Sequence, residues 1–272
     1  MLSYRYLHAR QGCARQGQYP IVHCMNDSDA KAIRVAGSRR QQGGPPLALV
    51  GGVSVGLFIA GLVVSSLLGG VTPSPFGPAA TVGQYYRDHP AAVQAQAIFL
   101  FASSVPLLIY ASTASARLRQ LGVTAPGATI ALAGGVVASA ALSTSGLLVW
   151  TLSRSDVSAN TALVRAISTL SFLLGGPGHV VPLGLLLAGI AVPSLIIRLL
   201  PRPVAWAGLV IAVACELTAL ALLSPALAVL LPIGRFPALI WLVVAGVLLP
   251  RRRTRAHSAA NRVDATAERT LR

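Results

Sequence analysis

The sequence predicts an all-α integral membrane protein, a six-transmembrane helix bundle with a short outer interfacial or re-entrant helix before the fourth span. Three observations predict it. Only 11% of the 272 residues are charged and 54% are hydrophobic. Soluble domains carry about 25% charged residues, so most of this chain must face lipid. Apolar runs long enough to cross a hydrocarbon core of ~30 Å at 1.5 Å per residue recur along the chain. The net charge of +15 is concentrated at the two ends, with only eight of 22 basic residues between Leu47 and Pro250. Basic ends on an apolar body fit the positive-inside rule, and no nucleic acid is expected as a partner.

Residues 1–46 are polar and basic and predict a disordered tail. Within them Met25 resembles a more ordinary start, so residues 1–24 are expected to be a start-site artefact. His8, Cys13, His23 and Cys24 match no zinc spacing, so neither a metal nor a cofactor is expected. The odd set of Cys13, Cys24 and Cys215 implies no disulfide framework. The membrane domain is expected over 47–250, with a second basic disordered tail over 251–272. Both tails are expected to meet anionic headgroups.

Leu47 to Leu68 predicts the first span, with Gly52, Gly56 and Ala60 forming a smooth stripe for internal packing. The three prolines between Thr72 and Pro78 exclude a continuous helix there. Ala79 to His89 predicts a short surface helix, with Tyr85 and Tyr86 suited to the membrane interface. Ala91 to Ala114 predicts the second span, bent at Pro106, and Pro126 to Thr151 the third, anchored at Trp150. Ala162 to Arg198 is too long for one ordinary span. Gly175-Gly176-Pro177-Gly178 divides it into a helix over Ala162–Leu174 and a span over His179–Arg198. Val204 to Leu223 predicts the fifth span. Phe236 to Leu249 predicts the sixth, with Ile233 as the alternative start and Pro225 to Arg235 as a short apolar connection.

Six spans place Lys31, Arg34, Arg39, Arg40, Arg117, Arg119, Arg198, Arg202, Arg251, Arg252, Arg253 and Arg255 on one side. Arg87, Arg154, Arg165 and Arg235 fall on the other, twelve against four. Counting Ala162–Leu174 as a seventh span reverses that bias, so this helix is expected to lie on the outer interface or to dip in and return. The distribution predicts a multi-pass inner-membrane protein with both termini cytoplasmic.

Glu216 is the only acidic residue inside a predicted span. A charge there costs ~2.5–3.5 kcal/mol on insertion scales, so it is expected to face the bundle and find a partner. Glu216, His179 and Arg165 fall at similar depth on the outer side and form the expected polar cluster, binding a small ligand, ion or proton or else pinning the short helix. Asp88 and His89 are expected either to sit among headgroups or to cover that pocket. No nucleophile motif, metal-ligand spacing or phosphate-binding loop is present, so no catalytic residue and no enzymatic activity are expected.

Pro75-Phe76-Gly77-Pro78, Tyr85-Tyr86 with His89, Gly175-Gly176-Pro177-Gly178-His179, and Leu200-Pro201-Arg202-Pro203 with Trp206 occur in that order. Through them the chain resembles a group of uncharacterised bacterial, mostly actinobacterial, multi-span membrane proteins. The resemblance implies a six-span fold in the bacterial inner membrane and assigns no activity or site. The expected function is binding or sensing of a small hydrophobic or cationic ligand, or an ion, in an outer-half polar pocket. A small-solute or proton-coupled transporter is one alternative. A structural or assembly partner making contact through Gly52 and Gly56 is another.

Overall fold

A computed structural model describes residues 45–123 and 126–250. The expectations for residues 1–44 and 251–272, including the alternative start, the disordered tails and the cysteine and histidine pairs, lie outside the described residues.

Among the described residues nine α-helices follow in order: α1 Leu47–Gly69, α2 Ala79–Asp88, α3 Pro90–Gln120, α4 Gly127–Leu152, α5 Ser155–Ser158, α6 Thr161–Gly175, α7 Pro177–Ile197, α8 Arg202–Leu217 and α9 Leu230–Leu248. Two 3₁₀ segments, Thr218–Leu222 and Pro225–Val229, join α8 to α9. No strand occurs among the described residues. Six segments are long and apolar enough to cross a membrane, and α6 with α7 counts as one of them, 37 residues long.

The six crossings form a closed ring. Chain neighbours pack side by side from α1 through α3, α4, α7 and α8 to α9, and α9 returns to α1. Small residues set the close approaches. A Cβ on Gly246 would lie 2.8 Å from the Ala48 nitrogen, so the first and last crossings touch backbone to backbone. This contact also puts both described ends at one end of the bundle. Tyr110 of α3 donates its hydroxyl to the Leu242 carbonyl of α9 at 2.7 Å. Trp241 of α9 donates its indole N–H to the Val204 carbonyl of α8 at 2.8 Å.

Serines tie α1, α3 and α4 together just before Pro106. Ser54 donates to the Ser103 carbonyl at 2.8 Å, and Ser139 donates to the Ser104 carbonyl at 2.6 Å. In an apolar bundle such hydroxyl bonds each contribute about 0.6 kcal/mol and up to ~1.7 kcal/mol. The expected glycine stripe behaves differently. A Cβ on Gly52 or Gly56 would meet nothing within 4 Å, so both face outward. Gly51 and Gly61, which project from another side of the helix, make the internal contacts with Tyr110 and Phe99. Hydropathy cannot tell these faces apart because both are apolar.

The short helix before the break runs in the same direction as the helix after it. Ser171 and Gly175 meet Ser145, Gly178 meets Ala141, His179 meets Ala138, Gly189 meets Ala131, and Gly127 meets Pro193. The partner on α4 falls steadily as the chain advances. Helices α6 and α7 therefore run antiparallel to α4 as one interrupted crossing, which preserves six spans.

Candidate functional site

The break is built by exclusion of side chains. A Cβ on Gly175 would lie 2.5 Å from Ser145 Oγ, and one on Gly176 would lie 2.6 Å from the Phe172 carbonyl. No larger residue fits either place without movement. Pro177 then begins α7, where its missing N–H belongs to the unpaired first turn. Beside the glycines, Ser145 donates to the Ser171 carbonyl at 2.9 Å, and the two Oγ atoms lie 3.1 Å apart.

A cavity of about 470 Å³ opens where α1, α3, α4, α6 and α9 converge next to this break. Small-molecule sites commonly enclose ~300–1,000 Å³. Its apolar wall includes Phe58, Leu62, Leu100, Val149, Phe172 and Leu231. Its polar wall carries Gln96, Ser145, Ser168, Ser171, Tyr86 and Arg235, together with Gly175 and Gly176. The segment Thr72–Pro75 covers one end. It is held by an edge-to-face contact of Phe76 with Phe172, ring centres 5.2 Å apart, and by Thr72 Oγ1 3.4 Å from the Tyr85 hydroxyl. Phe58 and Arg235 each lie eleven residues along their helices from the end shared by Leu47 and Gly246. The cavity floor is therefore about 16 Å in from that end, and the cavity occupies the half remote from both described ends.

Arg235 carries the distinctive electrostatics. Its Nη2 donates to the Gly175 carbonyl, and its guanidinium carbon lies 5.3 Å from the centre of the Phe58 ring. Its Nε is buried with no hydrogen-bond partner. Among the described residues the one ion pair is Arg154 with Asp156, both exposed, so no carboxylate neutralises Arg235 there. The sequence reading put Arg235 in a connection and counted it with the outer charges. The helix starts earlier, at Leu230, and carries Arg235 into the span. Pro237 sits inside α9.

The expected cluster is not assembled. His179 is fully buried, and its Nδ1 lies 2.9 Å from the Ala138 carbonyl. A carbonyl only accepts, so Nδ1 carries the proton and the ring pins α7 to α4. Glu216 is exposed on the outer face of α8, with its carboxylate over Gly184. Arg165 is exposed near the start of α6. No hydrogen bond or ion pair joins any two of the three. They part because α6, α7 and α8 present these residues on different faces, which depth alone does not specify.

Asp88 and His89 do not line the cavity either. Asp88 is exposed. His89 stacks on Tyr85 with ring centres 5.0 Å apart and packs against Gly69 at the end of α1. Tyr86 is the residue of this segment that reaches the cavity wall. It is buried, and burial, with Tyr85 beside it, pushes its hydroxyl up to about 12. It therefore stays a neutral donor at ordinary pH.

No protein-family model, curated protein or solved structure matches the chain significantly.

Proposed function

We propose that this chain is a multi-pass protein of the bacterial inner membrane that holds a small ligand in its outer half and performs no chemistry on it. The cavity beside Gly175 and Gly176 carries this reading. It is of ligand size, mixes an apolar wall with converging polar groups, and is lined by five helices together with the Thr72–Pro75 segment. The sequence supports the orientation. With Arg235 inside the membrane, twelve basic residues near the spans lie on the side of the termini, against Arg87, Arg154 and Arg165 opposite. That bias supports cytoplasmic termini and a cavity toward the outside. The resemblance to actinobacterial membrane proteins supports the same compartment.

The test fills the cavity. Gln96 and Leu100 line it and are only half-buried, so Gln96→Trp and Leu100→Trp can occupy it without disturbing the ring contacts. Protein purified in mild detergent is expected to carry a bound small molecule by native mass spectrometry. Both variants are expected to lose that mass while unfolding at an unchanged temperature. A wild-type protein that carries no bound mass, and whose unfolding no bacterial lipid or metabolite extract shifts, overturns the proposal.

A further inference from the structure

The geometry points to an anionic amphiphile as the ligand, with a carboxylate or phosphate head on Arg235 and an apolar tail along Phe58, Leu62 and Leu100. This rests on the ligand-binding reading above and reverses the sequence expectation of a hydrophobic or cationic ligand.

The head is argued from what Arg235 lacks. A guanidinium offers five N–H donors in a fixed fork. Here one hydrogen bond goes to the neutral Gly175 carbonyl, the Phe58 ring covers part of the cation, and Nε is buried with nothing to accept from it. A cation near the middle of a span is costly and is ordinarily paired. Glu216, the in-span carboxylate among the described residues, is exposed on the outer face of α8 and makes no ion pair with it. With no carboxylate paired to this charge among the described residues, an anion from outside them is the fitting partner. A carboxylate or phosphate matches the fork and can receive two parallel bonds. A cationic head would face Arg235 without a counter-charge. The serines do not substitute, because Ser145, Ser168 and Ser171 already donate to backbone carbonyls.

The tail is argued from the wall and the entrance. Phe58, Leu62 and Leu100 line one continuous side of the cavity with no charged neighbour other than Arg235. Pro232 and Phe236 line it too, and both are exposed. The cavity is therefore accessible beside α9, part of a segment apolar enough to cross a membrane. A molecule already in the membrane can slide in sideways, head toward Arg235, without passing through water.

The experiment uses the full chain in phosphatidylcholine nanodiscs and radiolabelled dodecanoate. Unlabelled dodecanoate and dodecyl phosphate are expected to displace the label. Dodecanol and dodecyltrimethylammonium are expected to need at least tenfold higher concentration, and acetate and inorganic phosphate not to displace it. Arg235→Met is expected to weaken binding at least tenfold, and Arg235→Lys to retain part of it. The competitor series needs no variant, so a misfolded Arg235→Met leaves the test intact. Equal competition by dodecanol or dodecyltrimethylammonium, with Gln96→Trp still blocking the label, overturns the anionic head and leaves the ligand-binding reading standing. Competition by inorganic phosphate at dodecanoate concentrations overturns the tail. Absence of any saturable binding, with Gln96→Trp indistinguishable from wild type, overturns both.

Discussion

Gly175 lies so close to Ser145 that a Cβ on the glycine would stand 2.5 Å from the serine Oγ. Gly175→Ala must push α6 away from α4 or rotate the serine out of its bond to Ser171. Overpacking of this kind costs about 1–3 kcal/mol. Gly52→Ala is the matched control, because a Cβ there meets nothing within 4 Å. It is expected to leave stability unchanged or raise it by up to ~1 kcal/mol through helix propensity. Reversible unfolding of both variants in mixed micelles checks the pair. Equal stability of Gly175→Ala and wild type would show that the break tolerates a side chain.

Tyr110 and Leu242 join the ring across its long-range seam, with the hydroxyl fully buried. Tyr110→Phe keeps the ring volume and removes only this bond. A loss of about 0.6–1.7 kcal/mol is expected, the range for interhelical hydrogen bonds in membranes. Steric trapping between α3 and α9 reports it directly, and a variant as stable as wild type would mean that Leu242 finds another donor.

Glu216 faces outward from α8 beside Val213 and Leu217, which are also exposed. Glu216→Leu is therefore expected to leave the bundle intact and to favour membrane insertion of α8 by up to ~3 kcal/mol. Glycosylation mapping of the isolated segment measures the insertion, and thermal unfolding measures the fold. Destabilised Glu216→Leu protein would reveal a partner for the carboxylate.

Tyr86 supplies the alkaline limit of the membrane-surface end of the fold. Its folded pKa of about 12 lies above the ordinary value of 10.0, so the folded state favours the neutral phenol. That stabilisation is complete below pH 10 and is lost as the pH rises toward 12. Ultraviolet difference titration should show one tyrosine ionising about two units late. Tyr86→Phe should abolish the corresponding fall in stability, and a fall unchanged in Tyr86→Phe would assign it to another group.

Hydropathy and charge made much of this fold legible. Six crossings and the discontinuity at Gly175–Gly176 follow from apolar run length, glycine and proline. What stayed hidden was rotation about each helix axis. On α8 the residues flanking Glu216 are apolar all round, so no periodicity tells the lipid face from the inner one. The same silence covers Gly52 and Gly51, one position apart and facing opposite ways. Arg235 marks the start of the sixth span. The sequence leaves that start between Ile233 and Phe236, whereas the helix begins at Leu230 and carries Arg235 within it.

The contact of Gly246 with Leu47 and Ala48 couples the site to the order of synthesis. Chains emerge from the ribosome N-terminus first, and α9 is the last of the six described crossings to appear. Until it does, α1 has no neighbour on its open flank, and Phe58 and the Gly175 carbonyl lack the cation they later share. Five inserted crossings would make a stave-like arc with an unfinished recess. The sixth closes the seam and delivers Arg235 in the same step, so the binding chamber and the complete barrel of helices come into being together.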